Sequence, residues 1–198
     1  MNLIAAMLLA LPLVAAAGAP EIDIRLKRLP NKAYELQGSF TVAASSSIVW
    51  GVLTDYEGIP AFVSSMKSSR VRATLSDGSV LLEQRATGGM FFLTRTVTVL
   101  LDVRRESQRL VFEDVGRESF WRYEGDWKTE AAQTGMRVSY RLVAQPDFVT
   151  PSLILSRAMK RGAHDLLSQV RAEIIRRTGR VAPDGRKWFQ PSLPAIYV

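Results

Sequence analysis

Apolar and polar residues alternate in two segments early in the chain, and the pattern then changes to a helical spacing. Glu21–Leu29 and Ala33–Val42 have the period of two that is typical of half-buried strands, and Pro30-Asn31 separates them. The two segments therefore predict a hairpin. In Ser46–Phe62 the apolar residues follow helical spacing until Pro60 interrupts it, so this segment predicts two short helices.

The period of two returns after Met66 and persists to the end of the next large segment. It predicts six strands: Ser69–Leu75, Val80–Thr87, Phe91–Arg104, Arg109–Val115, Phe120–Thr129 and Arg137–Gln145. Short turn signals separate the strands, among them Ser76-Asp77-Gly78 and Gly88-Gly89, and short connections indicate antiparallel neighbours. Apolar residues fall on one face of Arg137–Gln145 and charged residues on the other, so one sheet face should be covered and the other solvated.

A long helix with one apolar face is predicted over about Pro151–Arg177. Its apolar face comprises Leu155, Met159, Gly162/Ala163, Leu166, Val170 and Ile174. A long helix that follows so many strands must bury this face against their sheet, which predicts an α+β fold. Such a layout often encloses a cavity, and a cavity favours a bound apolar molecule over a self-evident reaction.

The start of the chain has the pattern of a secretory signal peptide. Residues 1–20 carry no charged side chain, and an apolar run from Leu3 to Val14 is followed by small alanines. We expect a signal peptide at residues 1–17, a folded domain at 21–178 and a C-terminal extension at 179–198. Export, to the periplasm in a Gram-negative source, is the expectation; a short membrane anchor or a cytosolic helix are the alternatives.

The composition limits the reactions that the chain can catalyse and the partners that it can bind. The chain of 198 residues has a net charge of +7 and no cysteine, which excludes disulfides and thiol nucleophiles. Much of the positive charge lies in the C-terminal third, which favours transient contact with anionic phospholipid. Export argues against nucleic acid as the partner. The alternative to membrane contact is that these charges only form a solvated helix face. We expect a monomer.

Several stretches resemble the START-like, or SRPBCC, helix-grip superfamily. They are Val49–Glu57 (VWGVLTDYE) with Pro60 and Phe62 after it, Ser69-Arg70-Val71, Tyr123–Trp127 (YEGDW) and Val138–Leu142 (VSYRL). Members include polyketide cyclase/dehydrase and lipid transport proteins and coenzyme Q-binding START-domain proteins. The resemblance covers about Ala33–Arg177. It implies a curved antiparallel sheet wrapped around the long C-terminal helix, two short helices after the first main strand, and an elongated apolar cavity between sheet and helix.

Few residues offer catalytic chemistry. His164 is the single histidine, so no site with two histidine ligands exists, and no nucleophile–base pair, metal or cofactor is predicted. Arg95 shares strand parity with Val97 and should face the covered side, where it could hold a polar head group or pair with a carboxylate. The candidates for lining a ligand cavity are Trp50, Phe62, Phe92, Arg95, Val97, Trp127, Tyr140, Met159, Ala163 and Leu166.

These observations favour an exported protein that binds or carries a hydrophobic small molecule such as a lipid, a quinone or a polyketide-like compound. Two alternatives stay open. One is a cyclase or dehydratase that holds a polyketide-like substrate in the same cavity. The other is an envelope protein-interaction module that uses the apolar segment Met90–Leu93 or the C-terminal extension.

Overall fold

A computed structural model describes residues 22–90, 93–148 and 151–179, except for the side chains of 88–90 and 93–95. The strands are β1 (Asp23–Arg28), β2 (Tyr34–Val42), β3 (Met66–Thr74), β4 (Val80–Met90), β5 (Leu93–Glu106), β6 (Arg109–Asp114), β7 (Phe120–Ala131) and β8 (Met136–Pro146). The α-helices are α1 (Ser46–Leu53) and α2 (Ser152–Thr178), with 3-10 helices at Pro30–Lys32 and Tyr56–Ala61. The predicted signal peptide, Phe92 and residues 180–198 lie outside the described residues.

All eight strands form one antiparallel sheet in the order β1-β2-β8-β7-β6-β5-β4-β3. The N-terminal hairpin therefore joins the last strand, through the ladder between β2 and β8. Helix α2 packs against β1 and β2 near one edge of the sheet and also against β4 near the other. Because one helix contacts both ends of the strand order, the sheet must curve around it. The helix-grip prediction is confirmed, with the two short helices following β2.

The two faces of β8 show how the sequence alternation becomes a core. Val138, Tyr140 and Leu142 are buried beneath α1 and α2, whereas Arg137 and Arg141 are exposed on the opposite face. The outward arginines form polar contacts with β2, such as the bond from Arg141 Nε to Glu35 Oε1 at 2.7 Å. The sheet thus has one covered and one solvated face, as the alternation predicted.

A glycine in β2 allows α2 to approach the sheet closely. A Cβ atom at Gly38 would lie 2.8 Å from Leu167 Cδ2 and 2.8 Å from Ile24 Cδ1. Leu167 is fully buried at this contact. The missing side chain at position 38 therefore makes the space into which the helix packs.

Two details of the predicted pattern are wrong. Gly88-Gly89 is not a turn, because the ladder of β4 and β5 continues through both glycines to the pair Met90 and Leu93. Gly162 is not on the inner face of α2: it is exposed, and a Cβ there would meet nothing within 4 Å. Its neighbour Ala163 is the buried small residue. A spacing of three or four residues along a helix allows either of two adjacent positions to face inward, and packing against the sheet selects one of them.

None of the helices among the described residues combines the length and the apolar composition needed to cross a bilayer.

Candidate ligand-binding site

A cavity of about 130 Å³ lies between the concave face of the sheet, α2 and the segment of short helices. The short helices and the turn after them contribute Val52, Leu53, Tyr56, Ile59, Phe62, Val63 and Met66. The sheet contributes Leu82, Gln84, Leu101, Val103, Leu110, Phe112, Tyr123, Trp127 and Tyr140, and α2 contributes Leu166 and Val170. All three parts of the fold therefore contribute to the walls of the site.

The stretch VWGVLTDYEG builds one wall of this cavity. Ser45 caps α1 by accepting a hydrogen bond from the Ile48 amide at 3.4 Å. Helix α1 ends at Leu53, and the 3-10 helix that follows begins at Tyr56, one residue after Asp55. A Cβ atom at Gly58 would lie within 2.5 to 2.6 Å of the Asp55 carboxylate. The glycine therefore leaves the carboxylate room to lie against the backbone of this short helix.

Polar groups lining the cavity are few and neutral. They are the hydroxyls of Tyr56, Tyr123 and Tyr140, the amide of Gln84 and the indole N–H of Trp127. None of the described residues lining the cavity is charged. The Gln84 side chain is already engaged, because Nε2 donates to Ser69 Oγ at 3.2 Å.

Tyr123 and Tyr140 sit at the centre of an aromatic cluster. Each phenol influences the pKa of the other, so the two side chains lie close together. The Tyr140 ring centre lies 4.5 Å from that of Trp127 and 6.2 Å from that of Phe112, and the Tyr123 ring centre lies 4.8 Å from that of Phe120. Such close aromatic packing holds both phenols in fixed positions.

Burial controls the ionisation of the three tyrosines. It raises the pKa of Tyr123 and raises that of Tyr140 well above the ordinary value. It also raises the pKa of Tyr56, although the positive charge of Arg105 partly offsets the effect. All three phenols are therefore protonated at neutral pH, so they can donate hydrogen bonds but cannot abstract a proton.

The structure places four of the ten candidates around the cavity: Phe62, Trp127, Tyr140 and Leu166. The other candidates lie elsewhere or are not described. Trp50 is buried beside the cavity with Arg105 Cζ 4.4 Å from its ring centre, whereas Val97, Met159 and Ala163 pack outside the lining. Phe92 and the side chain of Arg95 lie outside the described residues.

Tyr123 is one of the cavity residues that the candidate set lacked. It shares strand parity with Trp127 in the YEGDW stretch, where the two lie four residues apart. This parity was the signal that could have identified it. Tyr56 and Gln84 gave no comparable signal, because their inward orientation depends on how the short helices and β4 pack.

His164 lies away from the cavity, on the exposed face of α2. It lines an open groove of about 550 Å³ between β1 and α2, together with Ile22, Asp23, Ile24, Arg25 and Lys160. Its Nδ1 lies 3.5 Å from Ser168 Oγ and 3.9 Å from Asp165 Oδ1. Across the described part of the chain, no group of three or more histidine or acidic side chains is placed to hold a metal ion.

Solved structures of other proteins share this fold at low sequence identity. A protein from Thermus thermophilus has a TM-score of 0.63 and 18% identity, and the match covers 73% of this chain and 99% of the other. The Zhui aromatase/cyclase from a Streptomyces species has a TM-score of 0.61 and 14% identity over 73% of this chain and 95% of the other. A STAR-related lipid transfer protein from Xanthomonas axonopodis has a TM-score of 0.59 and 15% identity over 77% and 98%.

The comparison with curated proteins gives no match. The sequence profile of the family described as "Polyketide cyclase / dehydrase and lipid transport" matches residues 34–174. That range includes the cavity wall at α1, every strand from β2 to β8, and α2 up to its last buried residue. The chain therefore belongs to the polyketide cyclase/dehydrase and lipid transport family.

Proposed function

We propose that this protein is an exported carrier that binds a hydrophobic small molecule in the cavity between the sheet and α2. The observation that carries the proposal is the cavity itself, which is lined mainly by apolar side chains and is closed on one side by Leu166 and Val170 of α2. Ligand sites of this kind gain affinity from apolar burial and orientation from a few polar groups. Family membership and neighbours described as lipid transfer proteins support the same function.

The volume of the cavity limits what enters it without rearrangement. About 130 Å³ is well below the ~300–1,000 Å³ typical of sites for drug-sized ligands. It is close to the ~150 Å³ of an engineered apolar cavity that holds benzene. A lipid, a quinone or a polyketide-like molecule would therefore place one ring or one chain end inside, and the rest would require α2 or the short helices to move outward.

A carrier fits the cavity chemistry better than a cyclase or dehydratase does. Proton abstraction needs a group that is unprotonated near neutral pH. The ionisable side chains in the described lining are the three tyrosines, and the pKa of each is raised. The cavity can thus orient a carbonyl by hydrogen bonding, but its described lining supplies no base.

Export and contact with a membrane complete the proposal. The apolar segment at residues 1–17 supports export, and mass spectrometry of the mature protein from fractionated cells tests it through the N-terminal residue. The first turns of α2 support membrane contact. Leu153 and Ile154 are exposed there, close to the exposed cations Arg157, Lys160 and Arg161.

Native mass spectrometry of the mature protein, followed by extraction with organic solvent, tests the carrier function. We expect a hydrophobic molecule to co-purify with the protein. The change Leu166→Trp should fill the cavity and abolish this adduct, whereas Leu153→Trp, the same change at an exposed position of the same helix, should retain it. Absence of any adduct, together with no binding of a lipophilic dye, would remove the proposal.

A further inference from the structure

We infer that the cavity selects an uncharged ligand whose ring-sized apolar end carries an acceptor oxygen, and that the Tyr123–Tyr140 pair donates the hydrogen bond to this oxygen. The inference rests on the proposed carrier function and names the chemical class of its ligand. Three observations lead to it: the number of protons on the paired hydroxyls, the absence of charge in the described lining, and the volume of the cavity.

The two hydroxyls carry more protons than a hydrogen bond between them could use. Each phenol has one O–H proton, and a bond between Tyr123 and Tyr140 could use at most one of the two. Whichever tyrosine donates, one O–H remains. Neither hydroxyl has a side-chain hydrogen bond to a third residue among those that the structure describes. The pair therefore presents one donor in a site where an unused polar group is costly.

The surroundings of the pair disfavour an anion. A carboxylate or phosphate that entered the cavity would lose its water, and no described side chain in the lining carries a compensating positive charge. The negative charge of Asp114 acts on the pair, because it contributes to raising the pKa of Tyr123. A neutral carbonyl, ether or hydroxyl oxygen avoids both the loss of ionic hydration and repulsion by Asp114. It can accept a hydrogen bond from the remaining O–H.

Tyr56 is the competing phenol, and its position differs from that of the pair. It belongs to the 3-10 helix rather than to the sheet, and it lies near Arg105. Tyr123 and Tyr140 lie on neighbouring strands, where the ladder of β7 and β8 and the rings of Trp127 and Phe112 fix them. The Tyr123–Tyr140 pair, rather than Tyr56, is therefore the preorganised donor.

Three ring-sized probes of similar shape test the inference: acetophenone, which is a neutral acceptor; ethylbenzene, which has no acceptor; and benzoate, which is an anion at neutral pH. Titration calorimetry of the mature protein gives the three dissociation constants. We expect benzoate to bind at least about tenfold more weakly than acetophenone. Benzoate binding as tightly as acetophenone would overturn the inference on the wild-type protein alone.

The double variant Tyr123→Phe/Tyr140→Phe tests the donor. A single variant would leave the hydroxyl of the other tyrosine able to donate, whereas the double variant removes both hydroxyls, which costs little stability when the shape is kept. The ratio of the acetophenone and ethylbenzene dissociation constants should rise about fivefold in the double variant. Thermal unfolding confirms that the variant is folded.

Two further variants make the outcome specific. Tyr34→Phe, at a buried tyrosine outside the cavity lining, should leave the ratio unchanged. If the ratio changes in Tyr56→Phe and not in the double variant, the inference is wrong while the carrier function stands. If none of the three probes binds, the inference fails, and the adduct experiment decides separately whether the carrier function fails with it.

Discussion

The Arg177 guanidinium near the end of α2 donates from Nη2 to Oδ2 of Asp55 at 2.5 Å, which joins two residues 122 positions apart. The same guanidinium donates from Nε to Glu173 Oε1 at 2.6 Å and from Nη1 to the Gly51 carbonyl oxygen at 2.9 Å. Asp55 directly precedes the 3-10 helix that carries Tyr56 into the cavity lining. The contact therefore fixes the C-terminal end of α2 to one wall of the cavity.

Replacing Arg177 with methionine should destabilise the protein by about 2 kcal/mol, because three charge-assisted or carbonyl hydrogen bonds are lost around a partly buried group. The matched control is Arg176→Met. Arg176 also bonds Glu173, but its side chain is 47% exposed against 27% for Arg177. Urea unfolding should show a smaller loss for the control, and an equal loss in both variants would contradict the role given to Arg177.

Glu173 should make stability depend on pH in the acid range. Its side chain is 5% exposed, and the hydrogen bonds from Arg176 contribute most to lowering its pKa from the ordinary 4.5 to about 2. The folded state thus binds the proton more weakly than the unfolded chain does. The stabilisation is complete above about pH 4.5 and is lost as the pH falls through about 2, by about 3 kcal/mol in total.

The free energy of unfolding of wild type and of Glu173→Gln, measured at several pH values between 5 and 2, checks this pH dependence. The other carboxylates titrate equally in the two proteins, so they do not contribute to the difference. Wild type should lose about 3 kcal/mol more over this interval than Glu173→Gln does, because glutamine does not titrate. Parallel curves for the two proteins would show that Glu173 does not have the lowered pKa.

Two glycine-to-alanine changes should act in opposite directions. At Gly38 the added methyl would meet Leu167 and Ile24 at 2.8 Å, so Gly38→Ala should lower stability by about 1–3 kcal/mol through overpacking. At Gly162 the methyl meets nothing, so Gly162→Ala should raise stability by about 1 kcal/mol through helix propensity. Thermal unfolding of both variants measures the signs, and a stabilised Gly38→Ala would refute the close packing of α2 on β2.

Local patterns determined most of the fold. The alternation along β8 correctly separated Val138 and Tyr140 from Arg137 and Arg141, because a period of two assigns each residue to one face of a strand. The predicted end of β4 was wrong, because Gly88-Gly89 has the composition of a turn but continues the ladder between β4 and β5. Turn residues indicate where a chain can reverse, and the pairing of the strands decides where it does.

The site was less accessible to sequence reasoning than the fold. Strand parity alone can place Tyr140 and Tyr123 on the covered face, but that the two phenols are neighbours follows only from the pairing of β7 and β8. Glu173 lies on the buried face of α2, where the periodicity favours apolar residues, and two arginines compensate its charge. Such contacts join side chains whose proximity arises from tertiary packing, and no single segment encodes them.

The exposed apolar residues at the start of α2 predict binding to anionic membranes. Leu153 and Ile154 are 62% and 44% exposed, and Arg157 and Lys160 follow them on the helix surface.

Flotation with vesicles of phosphatidylcholine and phosphatidylglycerol should show about tenfold weaker binding for Leu153→Ser/Ile154→Ser, because apolar burial in the lipid is lost. Replacing the two cations with glutamine should weaken binding similarly, and only when phosphatidylglycerol is present, because phosphatidylcholine alone gives no negative surface potential. Ile175→Ser, at a position 46% exposed near the other end of α2, should leave binding unchanged; equal weakening there would show that the start of the helix is not the docking surface.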